Sequence, residues 1–131
     1  MRINAFVVCQ EIVPTLLADA GWDARNVLAF IRIPHPAIAI LGVMMVVQFE
    51  VDECGMPQLV VVEVADQDQK LIGSQQEEST QDVLPGMRPA AATAHFQISL
   101  PLRTTGEYTI RVKHGSSTIF ECPFPVFIDG H

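Results

Sequence analysis

Between residues 93 and 124 apolar and polar side chains alternate almost without a break, and a period of two leaves a chain few ways to fold. Successive residues of an extended strand face opposite sides, so Phe96, Ile98 and Leu100 share one face of a first strand. The stretch LRTTGEYTIRVKHGSSTIFECPFPVFI, residues 102–128, then reads as a closing antiparallel hairpin. Residues 107–113 pair with 118–124 through His114, Gly115, Ser116 and Ser117, and Gly115 supplies the positive φ that such a turn requires.

The same period, with turn signals between, organises the rest. Residues 3–12 are β-branched or aromatic and end at Pro14, which predicts a strand. Residues 15–24 allow one or two helical turns, with Leu16, Leu17 and Ala20 at helical spacing, before Gly21 and Asp23 cut them short. Residues 26–33 form a second extended segment, closed by Pro34, His35 and Pro36, whose prolines remove backbone donors. The long apolar run 38–51 contains Gly42, which suggests a bulge or a crossing between sheet edges. After a turn at 53–57, residues 58–65 alternate again and are expected to pair with 38–51 as a hairpin. The Gln-, Glu- and Ser-rich stretch 66–92 predicts a brief strand at 70–73 and a long polar loop at about 74–92. Together these segments predict one all-β domain over residues 1–131, an antiparallel two-sheet β-sandwich of about seven to nine strands with at most one short helix.

Composition sets the company such a domain keeps. Apolar residues make up 49% of the 131, enough to build a core without staples. Eight basic against fifteen acidic side chains give a net charge of −7, which repels phosphate backbones and anionic bilayers, so neither nucleic acid nor membrane is an expected partner. The apolar opening is interrupted at Gln10 and Glu11, too early for a signal-peptide core, and the run 37–47 falls short of a bilayer span. The expected location is the cytoplasm. There the three cysteines, Cys9, Cys54 and Cys122, lack metal-type spacing and read as free thiols.

Gly106 precedes the single tyrosine, Tyr108, by two residues. This pattern resembles the tyrosine corner of immunoglobulin-like sandwiches, in which a hydroxyl bonds back to nearby backbone. More widely, the segments AFVVCQEI, IRIPHPAIAI, VVVEVADQDQKLI and GEYTIRVKHGSSTIFECPFPVF, taken in that order, resemble a family of small bacterial β-sandwich proteins known as a domain of unknown function. The resemblance runs from Ala5 to Phe127, with departures in the glycine-free segment 22–30 and the long loop 75–92. It implies the immunoglobulin-like fold and transfers no site.

Signatures of chemistry are sparse. Asp66-Gln67-Asp68 lacks the glycine and the spaced glutamate of a calcium loop and reads as a solvated turn. His35, His95, His114 and His131 are scattered without zinc spacing, and His114 reads as an exposed turn residue. Cys54 lies in DECGMP, where acidic neighbours raise a thiol pKa and disfavour a nucleophile. No metal, cofactor or catalytic residue is therefore expected. Two functional classes stay open. The favoured one is a non-catalytic interaction or scaffold domain that binds a protein partner or a second copy through strand edges or the 66–92 loop, with methionines as adaptable contacts. The other is a small-molecule or carbohydrate-binding sandwich, or a hydrolase built on one, using Trp22 as a platform with Asp19, Asp23 and His35.

Overall fold

The computed structural model describes residues 1–15, 22–83, 85–89 and 91–129. Over these residues the chain is all-β. Nine strands run in order: β1 (Arg2–Pro14), β2 (Trp22–Val27), β3 (Ile31–Ile33), β4 (Ala37–Gln48), β5 (Gln58–Ala65), β6 (Leu71–Ser79), β7 (Ala91–Leu102), β8 (Gly106–His114) and β9 (Ser117–Ile128), with one 3-10 turn at Val51–Glu53. They form a four-stranded sheet, β2-β1-β4-β7, and a five-stranded sheet, β3-β9-β8-β5-β6. Every pairing is antiparallel except that of β3 with β9, which is parallel from Ile31↔Val126 to Ile33↔Ile128. Among the described residues no helix is long and apolar enough to cross a membrane.

The core follows from the alternation. Leu41, Val43, Met45 and Val47 of β4 and Phe96, Ile98, Leu100 and Leu102 of β7 point inward from one sheet. Val60, Val62 and Val64 of β5, Tyr108, Ile110 and Val112 of β8, and Phe124, Val126 and Ile128 of β9 meet them from the other. Burial of each large apolar side chain stabilises the fold by about 1.5–3 kcal/mol, which is what holds two layers of ribbon face to face.

Five expectations are corrected. Segments 38–51 and 58–65 do not form a hairpin: β4 and β5 belong to opposite sheets, and the chain crosses between layers at the buried Phe49 and the turn Val51–Glu53. Alternation reveals that one face of a strand is buried but not which sheet contains it. Gly42 marks no bulge, because β4 pairs without interruption with β7 from Ala37↔Leu102 to Gln48↔Ala91. Its lack of a side chain serves packing instead, since a Cβ there would lie 2.8 Å from Cys9 Sγ and 3.0 Å from Ile12 Cγ1. Strand 26–33 is split: β2 begins earlier, at Trp22, and β3 has moved to the other sheet. Of the helical turns expected at 15–24, residues 22–24 are strand and 16–21 lie outside the described residues. Finally, the brief strand at 70–73 extends to Ser79 as β6, paired with β5, so residues 74–79 are strand and not loop.

Candidate functional site

The residues with the clearest local role are those of the closing hairpin. Gly115 adopts φ +60° in the turn between β8 and β9. Gly106 admits the Gln67 side chain, whose Cβ would stand 2.7 Å from an added Cβ. Tyr108, buried at the start of β8, donates its hydroxyl proton to the Thr104 carbonyl at 2.7 Å. Thr105 Oγ1 accepts the Ile128 N–H at 2.8 Å alongside it, so the corner also ties down the end of β9. Tyr108→Phe removes the hydrogen bond to the Thr104 carbonyl and is expected to cost about 1 kcal/mol or more. An unchanged urea midpoint would show that the hydroxyl contributes nothing.

A second polar cluster secures the crossing between sheets. Glu53 accepts the Glu50 N–H at 2.7 Å and pairs with the Met1 ammonium at 2.7 Å and with His114 Nδ1 at 3.3 Å. Partial burial pushes its carboxyl pKa up, but these partners outweigh burial and hold it below the ordinary glutamate value. His114 Nε2 lies 2.7 Å from Gln58 Oε1, and Gln58 Nε2 donates to the Glu53 carbonyl at 2.9 Å. His114 is thus half-buried and bridging, not an exposed turn residue, because β5 runs beside it.

The outer face of the four-stranded sheet holds the remaining features, divided in two by the far half of β1. Cys9 and Ile12 are buried outside the main core and cover Gly42. On one side of this cover the surface is apolar. Ile38 and Ile40 project outward from β4 and keep 74% and 61% of their surface in solvent. Near Ile40 a cleft of about 320 Å³ is lined mostly by apolar residues such as Phe30, Ile33 and Ala39, with Gln10 and Arg32 also in its wall. Beyond the cleft the cluster passes to the other sheet: Phe30 leads into β3 and meets Phe127 of β9 edge-on at 5.8 Å, and the Arg32 guanidinium sits 5.2 Å above the Phe127 ring while bound to Asp129 at 3.0 Å.

On the other side lies Trp22, which stacks on His95 with ring centroids 4.1 Å apart and an interplanar angle of 34°. His95 stands opposite Met44 in the β4–β7 register. The expected set around Trp22 does not assemble. Asp23 follows Trp22 on β2, paired with Val13 and exposed. His35 precedes β4 at the end where Ala37 meets Leu102, with Nδ1 3.3 Å from the Pro36 carbonyl. Asp19 lies outside the described residues. The partner that Trp22 does have, His95, is brought to it only by the tertiary fold.

Nucleophiles are poorly served. Burial raises the thiol pKa of Cys9, and burial reinforced by Glu121 raises that of Cys122. Desolvation, followed by Glu53, Asp82 and Asp52, raises that of Cys54. All three are free thiols. Asp66 Oδ1 accepts the Asp68 and Lys70 N–H groups at 2.9 and 3.0 Å, so this carboxylate closes its own turn. Among the described residues no group of three or more His, Cys, Asp or Glu is placed to hold a metal ion. Known family models return no match to the chain, and neither do the curated proteins.

Proposed function

We propose that the chain is a non-catalytic interaction domain of the bacterial cytoplasm, related to the small β-sandwich family it resembles, and that it docks onto a second copy of itself through the apolar half of the outer face. The observation that carries this reading is the pair Ile38 and Ile40, two large β-branched side chains side by side on one strand face and mostly in solvent. With Phe30, also exposed and lining the same cleft as Ile40, they form the kind of apolar patch that marks a contact surface. Like copies of a chain with net charge −7 repel one another, and a face where carboxylates are few is where they approach at least cost. Of the ionic groups beside it, Arg32 is neutralised by Asp129, and Arg103, next to Ile38, adds no negative charge. Such a patch pairs with its own image about a two-fold axis. The edge of β6 is a poorer candidate, because around Gly73 it is packed against β7.

Sedimentation velocity over a concentration series tests this. The unmodified protein is expected to pass from monomer to dimer, and Ile40→Asp, which places a carboxylate on an exposed position, to remain monomeric with its melting temperature unchanged. A wild-type chain that stays monomeric throughout, or a variant that associates equally well, would overturn the reading.

A further inference from the structure

The polar half of the outer face suggests a ligand of a different kind. Cross-strand partners share a sheet face, so the pairings Val62↔Gln75 and Val60↔Glu77 put Gln75 and Glu77 on the core-facing side of β6. Both are nevertheless exposed. Here the sheets part, and positions that alternation reserves for apolar residues carry an amide and a carboxylate. They open onto a groove of about 430 Å³, whose wall includes Gln76, Gln97, His95 and Trp22. That volume lies within the range of about 300–1,000 Å³ found for small-molecule sites. The indole retains 37% of its surface in solvent although His95 backs it.

We propose that this groove binds a neutral carbohydrate chain, with Trp22 as the stacking platform and Gln75, Glu77 and Gln97 as hydrogen-bonding partners of the hydroxyls. The chemistry selects that class. An indole face accepts the C–H bonds of a pyranose ring, an apolar surface ringed by polar groups. Amide side chains offer a donor and an acceptor side by side, matching adjacent hydroxyls that each do both, and a carboxylate accepts two more. Neither lysine nor arginine lines the groove among the described residues, so a phosphorylated or sulfated ligand finds no counter-charge. The backing imidazole fixes the indole plane before any ligand arrives, which limits the ordering cost of binding.

Trp22 is the only tryptophan, so its emission reports on the groove directly. The full chain is titrated with cellohexaose, xylohexaose, mannohexaose, maltohexaose and chitohexaose up to millimolar concentration, and affinities of variants are measured by calorimetry. A saturable blue shift with at least one sugar is expected. Gln75→Ala and Gln97→Ala, both at exposed positions, are expected to weaken binding about tenfold each. Ile40→Asp, on the other half of the face, should leave the affinity unchanged. Trp22→Ala should abolish the heat of binding while the strand signal in circular dichroism is retained. If Gln75 and Glu77 serve only to protect a sheet edge, their substitution raises aggregation and leaves sugar affinity untouched, which overturns the proposal. So does flat emission with every sugar, whether acrylamide quenches the indole or fails to reach it.

Discussion

Phe49→Ala is expected to destabilise the protein by about 3–5 kcal/mol, the cost of emptying a fully buried aromatic site. Phe49 is 2% exposed and follows directly on β4, where the chain leaves the four-stranded sheet for the other layer. The hydrogen bonds that follow, from Glu50 to Glu53 and from Gln58 to the Glu53 carbonyl, hold the crossing on one side of the ring. On the other side Gln48 Nε2 donates to the Pro89 carbonyl at 2.7 Å. With its flanks fixed in this way, the site cannot collapse to fill the void, which puts the loss toward the upper end of the range. Equilibrium urea unfolding checks it: the midpoint should fall steeply with little change in slope. A midpoint within error of wild type would mean that Phe49 is not what anchors the crossing.

Gly73→Val is expected to cost about 1–3 kcal/mol or more through overpacking, although the position lies on an edge strand where substitutions are usually mild. An added Cβ would stand 2.5 Å from Leu100 Cδ2, 2.9 Å from Ile98 Cγ2 and 3.3 Å from the Ser99 carbonyl oxygen. Leu100 and Ile98 are each 1% exposed and have no empty space to retreat into. The backbone of β6 therefore has to move away from β7, opening the side on which the two sheets close. Thermal denaturation of the variant should show the loss, and Ser74→Val, one position along the same strand, serves as the control. Equal melting temperatures for Gly73→Val and wild type would mean the sheets are not in close contact there.

The sandwich was legible where local pattern and tertiary environment agree. In β7, β8 and β9 alternation, the Gly115 turn and the tyrosine at the start of the last hairpin all point to one answer, and those strands lie where the pattern places them. Legibility failed where a strand's environment is not uniform along its length. β6 has polar residues at its inward positions because the core ends at Gly73, so Gln75 and Glu77 looked like loop. β4 and β5 are neighbours in sequence with matching apolar faces, and nothing local distinguishes a hairpin from a crossing. Gly42 carried the composition of a bulge, but its cause is Cys9 and Ile12, residues more than twenty-five positions earlier in the chain. The candidate site shows the same limit. Trp22 could be singled out as the lone indole, but its partners from β6 and β7 come from distant parts of the chain, and only the register of two sheets brings them together.

The parallel pairing of β3 with β9 carries a consequence for how the molecule is made. Residues 31–33 leave the ribosome early, and the backbone groups they offer find their partner only when residues 126–128 have followed. Until then the apolar stretches on either side of Pro34 and Pro36 wait half-assembled, with Ile38 and Ile40 adding to the adhesive surface that a nascent chain exposes. A pairing between segments so far apart in the chain is of the kind that slows folding, because the intervening loop must close before the contact rewards it.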